Sequence, residues 1–282
     1  MRTALSLPAP AKLNLFLHIT GRRADGYHEL QTVFQLLDWG DTLQFEANDS
    51  GVVQLRGDLP GTATEDNLIT RAAARLKSGA NDALGADITL HKRIPLGGGL
   101  GGGSSDAATT LLALNQLWQL NHSLDTLAAI GAELGADVPV FVHGRSAWAE
   151  GIGEKLTPIE LPERWYLVVT PACQVSTAEV FSHPQLTRNS SPIKMAAFFQ
   201  GASRNDCQDL VRTLYPDVAK VLNFLSKLGE ARLTGTGACV FVSCENRGAA
   251  EAAQRQLPRD WHSFVARGIN PSPVHEILAS NR

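Results

Sequence analysis

The sequence predicts an α+β protein with two domains, residues 1–158 and 159–282. Segments in which apolar and polar residues alternate, as in strands, are mixed in both halves with segments of helical periodicity. A loop-rich region begins near residue 158. The chain of 282 residues is also long enough to bury more than one core. These three observations support the prediction.

Composition and charge narrow the class of function. The chain has 25 Lys and Arg against 28 Asp and Glu, so no basic surface predicts nucleic-acid binding. No apolar run is long enough to cross a membrane, and the first residues lack the apolar core of a signal peptide. We therefore expect a cytoplasmic protein whose partner is neither nucleic acid nor a membrane. The cysteines lack metal-type spacing and are expected to be free thiols: Cys173, Cys207, Cys239 and Cys244.

The first half is predicted to begin with a strand at residues 13–20. Lys12 and Asn14 lie two positions apart, so on a strand their side chains project to the same side. Further strands are predicted at 30–37, 42–47 and 52–55, followed by a helix that Asp66 or Asn67 caps.

The most informative stretch is residues 97–103, in which six of seven residues are glycine. An alternating strand pattern at residues 88–94 precedes it, and helical periodicity follows it. Glycine has no side chain to pack, so the stretch is expected to present backbone N–H groups to a ligand. Ser104 or Ser105 is predicted to cap the helix, with Asp106 in its first turn. A strand, a glycine loop and a helix start in this order predict a phosphate site.

Two common kinds of phosphate loop do not fit this stretch. The P-loop pattern requires Lys directly before its Ser or Thr, and Gly103 stands there. The spacing of Gly97, Gly99 and Gly102 fits the dinucleotide-binding pattern, which also requires an acidic residue about twenty positions later. Residues 117–121 contain none. A third kind of phosphate loop is therefore predicted.

Phosphoryl transfer at such a loop needs a cation, a metal ion and a group that handles the acceptor. Lys12 and Lys92, near the ends of predicted strands, are candidate cations. Ser104 or Ser105, together with a carboxylate, is a candidate site for Mg²⁺, which prefers hard oxygen ligands. Asp137 either accepts a proton from the acceptor or caps a short helical turn, and its neighbours in the sequence leave both roles open.

The remaining elements complete the α+β pattern. A helix is predicted between Ser123 and Gly135. The second half is predicted to contain strands at 165–170, 239–243 and 264–266, and helices near 180, at 194–199, 206–214, 217–228 and 248–256, and after Ser272.

Five segments together resemble the GHMP small-molecule kinase superfamily. They occur in family order along essentially the whole chain, at residues 10–15 (PAKLNL), 25–28 (DGYH), 95–105, 135–139 and 234–238. The resemblance implies a ribosomal-protein-S5-domain-2-like ATP-binding domain, a C-terminal α/β sandwich domain and an active site in the cleft between them. It also implies ATP and Mg²⁺ as cofactors.

The resemblance assigns the glycine segment to the phosphates of ATP, with the dipole of the following helix contributing. Residues 65–69 and Lys92 are implied to lie on the adenine side. The ATP-binding residues assigned in this way are Pro95, Leu96, Gly97, Gly98, Gly99, Leu100, Gly101, Gly102, Gly103, Ser104, Ser105, Asn67 and Lys92.

The resemblance also implies the catalytic pair. Asp137 is expected to accept the proton of the acceptor hydroxyl. Lys12 is expected to lie beside it, keeping it ionised and stabilising the charge that develops.

The PAKLNL and DGYH segments resemble the family member whose acceptor is a methylerythritol linked to cytidine diphosphate, phosphorylated on its 2-hydroxyl. Asn14 and His28 are implied to orient this acceptor. Tyr27 and Phe181 are similar to the aromatic pair that holds its cytosine, and backbone at Gly237 is implied to contact it. Base stacking of this kind contributes ~1–3 kcal/mol.

Two alternatives remain open from the sequence. A related kinase for homoserine, mevalonate or a sugar shares the glycine loop but is expected to lack an aromatic pair for cytosine. The second alternative is a nucleotide-binding regulator with an inactive site. The presence of Lys12 and Asp137, the implied catalytic pair, argues against it. The sequence allows a monomer or a homodimer.

Overall fold

The computed structural model describes residues 4–57, 66–78, 81–201 and 204–281. Two long antiparallel strands, β1 (Ala4–Arg22) and β2 (His28–Asn48), dominate the first half. The strands predicted at 30–37 and 42–47 are thus parts of one strand. The register between β1 and β2 shifts at several points, one of them between Pro10 and Lys12. Such bulges let a long strand bend while it keeps its partner.

Shorter strands extend this sheet, and helices cover it. Strand β3 (Val53–Gly57) runs parallel to β4 (Gly85–His91), which pairs antiparallel with the second part of β2. Strand β5 (Ala147–Gly151) pairs with the first part of β2, and β6 (Lys155–Pro158) pairs with β5. The helices are α1 (Leu68–Lys77), α2 (Gly102–Leu117), α3 (Leu124–Leu134) and α4 (Val138–His143).

The second half is built around strand β7 (Trp165–Thr170). Strands β9 (Val240–Cys244) and β10 (His262–Ile269) pair with β7, and the unpredicted three-residue strand β8 (Ala231–Leu233) pairs with β9. The elements predicted for this half are confirmed, with small shifts at their ends. The helices are α5 (Thr177–Ser182), α6 (Met195–Phe199), α7 (Gln208–Leu214), α8 (Pro216–Leu225), α9 (Arg247–Gln254) and α10 (Pro273–Ser280).

The two halves are joined through β10 and through a shared core. Gly268 and Ile269 of β10 pair with Leu37 and Leu36 of β2, so the two sheets are continuous. Helix α10 returns to the first half, where Val274 belongs to the core under the first sheet. A separate core at the junction combines residues of both halves, among them Leu13, Phe16, Tyr166 and Phe241. The division near residue 158 stays a prediction.

The starts of three helices were predicted correctly, and a side chain caps each of them. The side chains of Asn67, Ser123 and Ser272 accept hydrogen bonds from backbone N–H groups in the first turns of α1, α3 and α10.

The predicted cap of α2 is wrong. This helix begins at Gly102, and its N-cap is Gly101, which has a left-handed conformation with φ of 74° and provides no side-chain cap. Ser104 and Ser105 lie inside the helix, and Asp106 lies beyond its first turn. Because no side chain occupies the cap, the first N–H groups of α2 are left for another partner.

Within the described ranges, no helix combines the length and apolar character needed to cross a membrane. The four cysteines are free, as predicted.

Candidate active site

A cleft with a volume of about 700 Å³ lies between the two halves. Strands β1 and β2 and the start of α2 form one side of it, and helix α5 and residues 235–236 form the other. The predicted site residues that line this cleft are Lys12, Asn14, Tyr27, His28, Gly99, Gly101, Ser104, Asp137 and Phe181.

The ammonium group of Lys12 is held by three acceptors. Its Nζ lies 2.6 Å from Asn14 Oδ1, 3.0 Å from the carbonyl oxygen of Gly99 and 3.1 Å from Asp137 Oδ2. An ammonium has three N–H donors, so this set matches its capacity. The side chain is only 3% exposed, and the ring of Phe34 lies 5.3 Å from Nζ. Lys12 is therefore fixed in one orientation.

Asp137 occupies the N-cap position of α4, yet its side chain makes no capping hydrogen bond. Its carboxylate instead contacts Lys12 and remains 31% exposed. Of the two roles that the sequence left open, the cap is not made by this side chain. A carboxylate that is both paired and accessible is suited to contact a bound hydroxyl.

Thr234 links the glycine loop to β1. Its Oγ1 accepts a hydrogen bond from the backbone N–H of Asn14 at 3.0 Å and donates to the carbonyl oxygen of Gly99 at 3.2 Å. At the end of the turn at residues 234–238, the backbone N–H groups of Ala238 and Cys239 donate hydrogen bonds to the carbonyl oxygens of Gly97 and Gly98, respectively. The second half thus supports the loop that it faces.

Two glycines of the loop also have a steric role that the sequence did not predict. A Cβ atom on Gly99 would lie 2.2 Å from the carbonyl oxygen of Thr234, and one on Gly101 would lie 2.9 Å from the ring of Phe141. Both glycines have φ of 74°, which other residues rarely adopt. The loop needs glycine here because neighbouring segments approach too closely for any side chain.

The cleft borders only part of the predicted ATP site. Ser104 lines it, whereas Ser105 is fully buried, and its hydroxyl has no hydrogen-bond partner in the part of the chain that the structure describes. Glu65 lies outside the described residues. The ATP candidates that do not line the cleft are Pro95, Leu96, Gly97, Gly98, Leu100, Gly102, Gly103, Ser105, Asn67 and Lys92.

Lys92 lies against the start of α2 in a buried cluster with two carboxylates. Its Nζ is 2.6 Å from Asp41 Oδ2 and 2.7 Å from Asp106 Oδ2. Asp41 also accepts backbone hydrogen bonds from Arg93 and Ile94, so its negative charge is well solvated by donors. Burial raises the pKa of Asp106 to about 7. The positive charge of Lys92 acts to lower this pKa, and the negative charge of Asp41 acts to raise it.

Aromatic side chains from both halves line the other end of the cleft. The ring of His28 stacks on Phe181, with centroids 5.0 Å apart and planes at 26°. Tyr27 lines the same cleft and is 60% exposed, an unusual fraction for so large a ring. Tyr27 and Phe181 thus line one cleft, but the ring that contacts Phe181 is His28. Gly237 does not line the cleft, whereas its neighbours Gly235 and Thr236 do.

Arg188 contacts His28 and was missed by the sequence analysis. Its Nε donates to Nε2 of His28 at 3.0 Å. Burial lowers the pKa of His28, and the positive charges of Arg188 and Arg22 lower it further. The two partners are 160 positions apart, and no local pattern marks Arg188.

Few side chains of the cleft could bind Mg²⁺. The described residues contain no group of three or more His, Cys, Asp or Glu that could hold a metal ion. Ser104 and Asp137 do line the same cleft, so one hydroxyl and one carboxylate are accessible together. This set fits Mg²⁺, which commonly binds through one or two protein oxygens plus phosphates and water.

Comparison with known proteins identifies the family of the chain. The family described as GHMP kinases N terminal domain matches residues 67–145, and GHMP kinases C terminal matches residues 188–263. A Pseudomonas aeruginosa (strain LESB58) protein named 4-diphosphocytidyl-2-C-methyl-D-erythritol kinase is 58% identical over 278 residues, 99% of each chain. A Pseudomonas putida (strain GB-1) protein of the same name is 56% identical and covers 98% of this chain and 96% of its own.

Solved structures show the same fold. A crystal structure of 4-(cytidine 5'-diphospho)-2C-methyl-D-erythritol kinase matches with a TM-score of 0.81 at 34% identity, covering 94% of this chain and 100% of that one. A mevalonate kinase structure matches with a TM-score of 0.68 at 17% identity, and the match covers 94% of this chain and 99% of the mevalonate kinase chain. The predicted two-domain α+β fold is confirmed, and the chain belongs to the GHMP kinase family of small-molecule kinases.

Proposed function

We propose that the protein transfers the γ-phosphoryl group of ATP to the 2-hydroxyl of 4-diphosphocytidyl-2-C-methyl-D-erythritol. The products are the 2-phosphate and ADP, in the non-mevalonate route to isopentenyl diphosphate. The observation that carries this proposal is a single cleft containing both the Lys12–Asp137 ion pair and the rings of Tyr27 and Phe181. Relatives that are 55–58% identical bear the name of this kinase.

Asp137 and Lys12 act on the acceptor hydroxyl. The accessible carboxylate of Asp137 accepts a hydrogen bond from the hydroxyl and takes its proton as the phosphorus–oxygen bond forms. Because phosphoryl transfer has a loose transition state, orienting the hydroxyl matters more than full deprotonation before transfer. The fixed ammonium of Lys12 stabilises negative charge at the reacting oxygens.

The phosphates of ATP bind at the glycine loop and the start of α2. Support comes from the open N-cap at Gly101 and from the 16-residue helix behind it, whose first N–H groups and dipole favour an anion. Mg²⁺ bound to the nucleotide neutralises phosphate charge. Ser104 and Asp137 are the residues that would hold it, because Ser105 is fully buried.

The acceptor's cytosine binds between the aromatic residues of the cleft. The exposed ring of Tyr27 and the ring of Phe181 offer flat apolar faces from opposite halves of the protein. His28 and Asn14 orient the acceptor through hydrogen bonds. The substrates are small molecules, so the enzyme needs neither nucleic acid nor a membrane, and it works in the cytoplasm as a monomer or homodimer.

A steady-state assay of ADP release tests the proposal. The purified protein is given ATP and Mg²⁺ with the cytidine-diphosphate-linked acceptor, and in parallel with homoserine, mevalonate or galactose. ADP release is expected with the first acceptor only. Preference for an acceptor without cytidine overturns the substrate assignment, and no ADP release with any acceptor favours an inactive nucleotide-binding protein.

A further inference from the structure

Arg188 bridges the two sides of the aromatic end of the cleft. Its Nε donates to Nε2 of His28, at the start of β2. Its Nη2 donates to the carbonyl oxygens of Phe181 at 2.7 Å and His183 at 2.8 Å, and its Nη1 donates to that of Leu186 at 3.1 Å. One guanidinium therefore holds the C-terminal end of α5, including the residue that stacks on His28.

The bond from Arg188 determines the tautomer of His28. A guanidinium in a protein only donates hydrogen bonds, so Nε2 of His28 must be the unprotonated acceptor. The proton of the neutral imidazole then lies on Nδ1. This atom makes no hydrogen bond to any residue that the structure describes, and His28 lines the cleft. Nδ1–H is consequently a donor available to a ligand.

We propose that Arg188 is a positioning residue for the acceptor substrate: it locks His28 as an Nδ1–H donor and sets the Phe181 ring against it. This inference rests on the proposed function for the identity of the ligand, a cytosine, whose edge carries hydrogen-bond acceptors. Among the residues that the structure describes, Arg188 makes no hydrogen bond or ion pair with Lys12, Asp137 or the glycine loop, and it does not line the cleft. Its effect falls on acceptor binding rather than on the phosphoryl-transfer step.

The tautomer can be measured without any substrate. The full-length protein is labelled with ¹⁵N-histidine, and two-bond correlations between ring nitrogens and carbon-bound protons are recorded at pH 8. The His28 signals are identified by their loss in His28→Gln. The wild type is expected to show a protonated Nδ1. Arg188→Met is expected to move the proton to Nε2 or to give exchange between both forms.

Kinetics tests the consequence for the acceptor. Arg188→Met is expected to raise KM for the cytidine-linked acceptor about tenfold, the effect of losing one well-placed hydrogen bond, while kcat and KM for ATP stay within about twofold. Arg188→Lys retains a donor for Nε2 but cannot reach all the carbonyls, so its KM is expected to lie between the two. The control is Arg212→Met, an exposed arginine of the same half that bonds only Asn223 among the described residues.

These outcomes separate the inference from the proposed function. An unchanged His28 tautomer, or an unchanged acceptor KM, in folded Arg188→Met overturns the inference. If that variant does not fold, the same two measurements on Arg188→Lys and Arg188→Gln decide. If the wild type releases no ADP with the cytidine-linked acceptor, the proposed function fails. The tautomer experiment then still shows whether Arg188 controls His28.

Discussion

The Nζ atom of Lys12 lies 3.1 Å from Oδ2 of Asp137, an ion pair that joins the first strand to the start of α4. The lysine is buried and the carboxylate is partly exposed. A buried ammonium is stable only when acceptors surround it, and Asn14 and Gly99 provide the others. The cation is thus fixed by the fold, and the carboxylate remains accessible for chemistry.

Asp137→Asn is expected to lower kcat by ~10²–10⁴-fold, the usual contribution of a general base. The amide keeps the shape of the side chain but cannot take a proton. Binding of ATP measured by calorimetry without Mg²⁺ is expected to change little, because the glycine loop and α2 are untouched. Turnover near the wild-type value would show that Asp137 is not the base. Asp217→Asn, at a partly exposed aspartate paired with Lys220, is the matched control.

Phe181→Ala is expected to raise the acceptor KM by ~5–150-fold, the equivalent of the ~1–3 kcal/mol that stacking on a base contributes. Tyr27→Ala is expected to have an effect of the same kind, since its exposed ring lines the same cleft. The KM for ATP serves as the internal reference. Phe199→Ala removes an exposed ring that does not line this cleft. An acceptor KM in Phe181→Ala no higher than in this control contradicts the stacking assignment.

Two substitutions in the cluster of Lys92, Asp41 and Asp106 are expected to change the stability of the fold in opposite directions near pH 7. Lys92→Met is expected to lower it, and Asp106→Asn to raise it. Lys92→Met leaves two buried carboxylates together and is expected to destabilise the fold by ~3–5 kcal/mol. Asp106→Asn removes a carboxyl whose pKa burial raises from 3.8 to about 7. Because the folded pKa is the higher, the wild type loses stability as pH rises between these values. Asn does not ionise, so Asp106→Asn avoids that loss.

Chemical denaturation at several pH values checks this difference. The free energy of unfolding of Asp106→Asn relative to wild type is expected to rise from pH 4 to pH 7 and then to level off. A difference that falls over this range would mean that Asp106 is stabilised as an anion. Exposed Asp125→Asn is the reference for a carboxylate in solvent.

Local rules in the sequence accounted for much of the fold. Lys12 and Asn14 were predicted to share one side of a strand, and their side chains are hydrogen-bonded at 2.6 Å. Ser123 was identified as a cap, and Asn67 as one of two candidate caps, from their position before helical patterns, and both cap. Such features depend on neighbours within a few residues, which a sequence displays directly.

Long-range contacts could not be predicted in this way. The contact of Lys12 with Gly99 spans 87 positions, and that of Arg188 with His28 spans 160. Thr234 lies so close to Gly99 that only glycine fits at this position of the loop. The local sequence does not show this steric requirement, because the two residues are far apart in the chain. The start of α2 was misplaced because Ser is a common cap, whereas here Gly101 turns the chain with a positive φ.

His18 is expected to make the stability of the fold decrease at acidic pH. Its side chain is buried, and both ring nitrogens lack a hydrogen-bond partner among the residues that the structure describes. Burial lowers its pKa; Asp206 opposes this, and Arg204 adds to it. The folded pKa therefore lies below the ordinary value of 6.5, so the unfolded chain binds the proton more readily. Stability from this site is complete above pH 6.5 and falls as the pH drops toward the folded pKa.

His18→Leu removes both the unpartnered nitrogens and the titration, with a side chain of similar size. The variant is expected to match or exceed the wild-type free energy of unfolding at pH 8, because burying polar atoms without partners costs ~1–3 kcal/mol. Its advantage is expected to grow between pH 6.5 and pH 5, as measured by urea denaturation at each pH. Exposed His122→Leu is the control and is expected to leave the pH profile unchanged. If His18→Leu is less stable at pH 8 and keeps the wild-type slope below pH 6.5, then His18 has a partner in solution that lowers the cost of its burial.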